Sequence, residues 1–174
     1  MRRVSIIQGE HAVADKPGTV ISTILGSCVS VCLYDKTARV GGMNHFLLGK
    51  PAENQVVSQE DMRRYGVHAM ELLINDLMRL GANRQRLSAH VYGGANMMSG
   101  LGSIGTKNGA FATDFLATEG LPVAHSDLGG NHARKLEFMP CEGKSRCMAV
   151  SAEVAPPIRQ PVAPPSTTGE LELF

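Results

Sequence analysis

The uncharged run over residues 18–34, GTVISTILGSCVSVCLY, limits most sharply how this chain can fold. It falls short of the roughly 20 apolar residues that span a bilayer. Ser22, Thr23, Gly26, Ser27 and Ser30 also make it too polar for a span. What remains is strand buried inside a protein. Val29, Val31 and Leu33 alternate with Cys28, Ser30 and Cys32, the period of a strand with two distinct faces. A strand at Thr19–Leu25 precedes it, a polar turn over 35–39 follows, and VGGMNHFLL at 40–48 completes an antiparallel ribbon.

Around this ribbon the pattern alternates without regular βαβ units. A short strand over 4–7 opens the chain, and residues 49–58 read as a loop. Ser58 is placed to cap a helix reaching about Leu80, because Met62, Tyr65, Ala69, Leu73, Leu77 and Leu80 recur at steps of three and four. Gly81 is its stop, while Gly66 inside it costs about 1 kcal/mol against alanine and predicts a locally weak centre. A strand in LSAHVYGG, a helix over 108–118, a strand over 121–126, a glycine turn running into ARKLEF and a strand over 147–152 follow. The expected fold class is mixed α/β: a domain over residues 1–154 and a proline-rich, extended tail over 155–174.

Composition excludes several functions. The net charge of +1 is spread over scattered basic residues, and the chain has no tryptophan and three tyrosines. Nucleic-acid binding and attachment to a charged membrane surface therefore have no electrostatic or stacking basis. The start, MRRVSIIQGE, has too short an apolar run for a signal peptide, so a cytoplasmic protein with reduced cysteines is expected. The spacings of Cys28, Cys32, Cys141 and Cys147 lack the C-x2-C knuckle of common zinc sites, so no metal is expected. No phosphate-binding glycine motif is present, so no nucleotide cofactor is expected either.

Cys28 stands apart from the other cysteines because Gly26 and Ser27 directly precede it. Such a turn lets a ligand approach backbone, and its N–H groups are candidate oxyanion donors. A thiol nucleophile needs a base, and His45 lies on the next strand. If residues opposed across the 35–39 turn sum to about 74, Cys28 lies opposite position 46, at the same end of the ribbon as His45. A slip of one residue would turn the histidine to the other face. The bland alternatives are a buried strand cysteine and a satisfied strand-end histidine. Glycine pairs at 41–42, 93–94 and 129–130 each precede an asparagine, namely Asn44, Asn96 and Asn131. Together they suit a site that meets an extended or helical protein surface through backbone.

The blocks TILGSCVSVCLYD, GGMNHFLL, YGGANM and DLGGNHARKLEF, in this order, closely resemble the CheD family of chemoreceptor glutamine deamidases. The resemblance spans about residues 4 to 152. It implies an α/β sandwich of largely antiparallel strands with a long helix, related to deamidating toxins, and a cofactor-free cysteine hydrolase acting on glutamine side chains of receptor helices. It assigns Cys28 as nucleophile and His45 as base. The third, hydroxyl member six positions before the cysteine falls on Ser22, where the family typically has threonine, and Thr23 beside it is the alternative. Gly26 and Ser27 form the oxyanion turn, and Asn44, Gly129, Gly130, Asn131 and Arg134 are assigned to substrate contact. The implied partners are methyl-accepting receptors and, where present, the phosphatase CheC. The rival readings are a non-catalytic adaptor of the same fold and another cysteine amide hydrolase or acyl transferase.

Overall fold

Strand alternation and hairpin chemistry build two sheets in the computed structural model, which describes residues 1–48, 58–97 and 103–151. The order is β1 (Arg2–Ser5), β2 (His11–Ala14), β3 (Thr19–Leu25), β4 (Val29–Asp35), β5 (Val40–Asn44), α1 (Gln59–Arg79), β6 (Ser88–Gly93), α2 (Ile104–Thr118), β7 (Val123–Leu128), β8 (Ala133–Met139) and β9 (Lys144–Val150). One sheet runs β1-β3-β8-β9 and the other β2-β5-β4-β6-β7. Pairing is antiparallel except for β1 with β3 and β6 with β7. The fold is thus mixed α/β, as the sequence predicts. The expected 49–58 loop and the 155–174 tail fall outside the described residues, apart from Ser58.

The five-stranded sheet is apolar on both faces because it is the middle layer. Val29, Val31 and Leu33 of β4 pack on Met70, Leu73, Ile74 and Leu77 of α1 and on Ala112 and Leu116 of α2. On the other face Cys28, Cys32 and Tyr34 pack with Ile21, Leu25, Leu136 and Phe138 of the four-stranded sheet. The architecture is therefore helices, sheet, sheet. Among the described residues, no helix is long and apolar enough to cross a membrane.

Ser58 caps α1 as expected, its hydroxyl accepting from the Asp61 N–H at 3.1 Å. Gly66 has a packing reason to be glycine: a Cβ there would lie 2.4 Å from a Phe111 ring carbon of α2. Helix α2 begins a turn earlier than the sequence suggests and places Asn108 in the interior. Strand β2 is the one described strand that the sequence reading misses. It has four half-buried residues at a sheet edge, too few for an alternation to register.

The hairpin β4–β5 is set by its turn. The Asp35 carboxylate accepts from the N–H groups of Thr37 and Ala38, each at 3.0 Å, and Arg39 takes a left-handed φ of 58°. Cys32 then pairs with Met43 and Leu33 with Gly42. Opposed residues sum to 75 rather than the expected 74, and the Val29–Phe46 bridge continues that register. This one-residue difference decides the site.

Candidate active site

In the observed register Cys28 and His45 share the face that looks onto the four-stranded sheet. Phe46 and Leu48 belong to the helix-side core, Met43 and Leu47 to the inter-sheet core with Cys28. Had the sum been 74, His45 would have pointed toward the helices. Across the Val29–Phe46 bridge, Cys28 opposes position 47, which makes His45 its diagonal neighbour. Such diagonals lie within reach of long and aromatic side chains. Asn44 ends the regular ladder here: its side-chain oxygen accepts from the Val31 N–H at 2.9 Å, and the Ser30 hydroxyl donates to its carbonyl. The His45 backbone is held from the other side, donating to Glu10 O at 3.0 Å and accepting from the Gly9 N–H at 2.8 Å.

The imidazole is fixed by a hydroxyl from the facing sheet, and that hydroxyl belongs to Thr23. Thr23 Oγ1 lies 2.7 Å from His45 Nδ1 and donates to the Ile6 carbonyl at 2.8 Å. A threonine hydroxyl has one hydrogen, and a carbonyl can only accept it. The hydrogen between Thr23 and His45 must then sit on Nδ1. Nε2 is left with its lone pair, buried and without a partner among the described residues. Ser22, the residue favoured by spacing, points away, with its hydroxyl 3.3 Å from that of Ser5. The placement of the two hydroxyls has a plain cause. Ile21, Thr23 and Leu25 form the buried side of β3, while Ser22 and Ile24 are half-buried on the other. Period two across Ile21 and Leu25 already contained this answer.

Burial sets the protonation of both reactive groups. Cys28 is 5% exposed and His45 1%. Burial pushes the Cys28 thiol up to about 12 and holds the His45 imidazole down at about 4. At rest the thiol is protonated and the imidazole neutral. Thr23 and His45 reach the floor of a cleft of about 420 Å³, whose walls include Arg3, Ser5, Ile7, Ile24 and Lys135. Cys32 is wholly buried, as its apolar surroundings predict, and all four cysteines are free. Among the described residues, no cluster of three or more histidine, cysteine or acidic side chains is arranged to hold a metal.

The turn before Cys28 is pinned through its carbonyls. Gly26 O accepts from the Ala95 N–H at 3.1 Å and Cys28 O from the Gly94 N–H at 2.9 Å. Ser27 O accepts from Asn108 Nδ2 at 2.7 Å. Gly93 has to be glycine, since its φ is 107° and a Cβ would sit 2.2 Å from Cys28 O.

The glycine-rich block after β7 supports this turn from behind. Asn96 N–H donates to Gly130 O and Gly129 N–H to Gly93 O, each at 2.9 Å. Arg134 is buried, and its guanidinium donates to the Asp127 carboxylate, Gly129 O and Gly93 O. Arg134, expected to contact substrate, here braces the loop through one carboxylate and two carbonyls. Asn44, also expected at the substrate, is buried, and its amide bonds Val31 and the Met70 sulfur. Gly129 lends its carbonyl to the brace as well. Gly130 and Asn131 are exposed beside the pinned loop. Asn108, which the sequence reading passes over, emerges as part of the site's support.

A family model described as CheD chemotactic sensory transduction matches residues 47–149. A probable chemoreceptor glutamine deamidase CheD of Rhizobium leguminosarum bv. trifolii is 51% identical over 94% of this chain and 91% of its own length. One from Acidiphilium cryptum is 47% identical over 99% of this chain and 94% of its own. Among solved structures, the Neisseria meningitidis protein NMB0706 matches with a TM-score of 0.46 and 9% identity over 75% of this chain and 64% of that one. The chain belongs to the CheD family.

Proposed function

We propose that this chain is a protein-glutamine deamidase of chemotaxis that converts receptor glutamine side chains to glutamate, with Cys28 as nucleophile, His45 as base and Thr23 as the hydroxyl that orients it. One observation carries the assignment of roles. The Thr23 hydroxyl spends its hydrogen on Ile6 O, so His45 keeps its proton on Nδ1 and offers a bare Nε2 on the face of Cys28.

The chemistry follows from these atoms. His45 Nε2 takes the thiol proton as Cys28 sulfur attacks the glutamine amide carbon. Thiolate and imidazolium arise together, so each offsets the burial cost of the other. The N–H groups of Ser27 and Cys28 receive the oxyanion. The imidazolium then protonates the amide nitrogen, the carbon–nitrogen bond breaks, and ammonia leaves a thioester. His45 next removes a proton from water, which attacks the thioester. The thiolate departs and recovers its proton, and the product is a carboxylate. The Gly130–Asn131 turn is exposed, which leaves its backbone open to a receptor helix. Association with a CheC phosphatase belongs to the same proposal and is tested by co-purification.

The deciding experiment is mass spectrometry of a purified receptor fragment after incubation with the protein. Conversion of amide to acid at discrete glutamines, absent with Cys28→Ala, is expected. An unchanged receptor would favour a binding adaptor, and an added amine an acyl transferase.

A further inference from the structure

We infer that Asn108 is a positioning residue for this reaction, holding the peptide between Ser27 and Cys28 so that the Cys28 N–H faces the developing oxyanion. The inference rests on the reading of Cys28 as nucleophile and adds a residue from a distant helix to its machinery.

The argument begins with burial. Asn108 is fully buried on α2, on a face shared with Gly105, Gly109, Ala112 and Leu116. A buried carboxamide needs both ends satisfied to be tolerated. Its oxygen accepts from the Leu48 N–H at 3.1 Å and its nitrogen donates to Ser27 O at 2.7 Å. One side chain thus ties the residue before Cys28 to a residue three positions beyond His45. Among the described residues, it supplies the side-chain hydrogen bond to the turn over 26–28.

Planarity turns this anchor into an aiming device. In a trans peptide the C=O and N–H point in opposite directions. Fixing Ser27 O toward α2 therefore directs the Cys28 N–H away from α2. The preceding peptide is fixed by the same logic, since Gly26 O is held by the Ala95 N–H, which directs the Ser27 N–H. The helix can approach this closely because Gly105 lies against Gly94 and Ala95, where a Cβ would meet Ala95 O at 2.3 Å. Nothing in this arrangement requires Asn108 to touch substrate.

The test separates aiming from simple structural support. Asn108→Ala should lower kcat on receptor glutamine about 10- to 100-fold, the range for a misdirected oxyanion donor, and leave KM within about twofold. Alkylation of Cys28 by iodoacetamide passes through no oxyanion, so its rate should stay within about threefold of the parent. Should Asn108→Ala fail to fold, Asn108→Asp keeps the shape and the acceptor for Leu48 and takes the same two measurements. Equal losses in turnover and alkylation would overturn the inference, as would a folded variant with parental kcat. Retained turnover in Cys28→Ala would instead remove the nucleophile assignment, a distinct outcome.

Discussion

Two polar islands lie between the same two sheets, and they differ in one respect. In one, His90 places Nδ1 2.7 Å from the Ser145 hydroxyl and Nε2 3.4 Å from the Tyr34 hydroxyl, while Tyr92 reaches the same serine at 2.5 Å. In the other, His45 uses Nδ1 on Thr23 and leaves Nε2 without a partner among the described residues. Both histidines are buried, and burial lowers the pKa of each, with like charge from His125 and Lys36 adding to the shift at His90. Composition and depth are thus similar, but only the second island holds an unspent lone pair on the face of a cysteine. A satisfied network adds stability, whereas a buried group without a partner calls for a functional explanation.

The largest effects should divide the islands by turnover. Cys28→Ala should abolish receptor deamidation, and His45→Gln should lower it roughly 10²- to 10⁴-fold, while both variants keep a cooperative thermal transition. His90→Gln should keep parental turnover with reduced stability. The comparison breaks if a folded His90→Gln is the inactive variant.

Acid should destabilise the protein through His45 in a defined window. Its pKa is about 4 in the fold against an ordinary 6.5. Between those values the unfolded chain binds a proton that the folded chain refuses, so stability falls as pH drops from 6.5 to 4 and then levels. The span amounts to about 3 kcal/mol. Urea unfolding of the parent and of His45→Gln at a series of pH values isolates it, because His90 contributes equally to both. Parallel curves would place the buried neutral imidazole elsewhere.

The hydroxyl partner is the next test. Thr23→Ala removes the acceptor for the Nδ1 proton and should raise the barrier by about 1–3 kcal/mol, roughly tenfold to a hundredfold in kcat. Ser22→Ala should leave kcat within about twofold. The reverse ranking would mean that β3 presents its other face to His45.

The smallest effect belongs to the satisfied island. Ser145→Ala deprives His90 and Tyr92 of their shared partner and should cost about 1 kcal/mol in unfolding free energy. Turnover should be unaffected. A Ser145→Ala variant with parental stability and impaired turnover would erase the distinction between the two islands.

Several elements are encoded by local chemistry alone. The Ser58 cap, the apolar spacing of α1, the two strands around Gly26-Ser27 and the buried fate of Cys32 were all legible, because caps, periods and turns act over a few residues. Cys28 and His45 were legible too, as a thiol behind a glycine turn and a histidine on the next strand. How they meet depends on long-range packing. The Asp35 turn set the register that brings His45 to the Cys28 face, and the packing of one sheet on the other chose Thr23 over Ser22. The surroundings of Arg134 and Asn108 have the same long-range origin. Arg134 is enclosed by Asp127 and two carbonyls, and Asn108 arrives at Ser27 from a helix 81 residues away in sequence. Contacts of that separation leave no local pattern, since they exist only once the layers have closed around them.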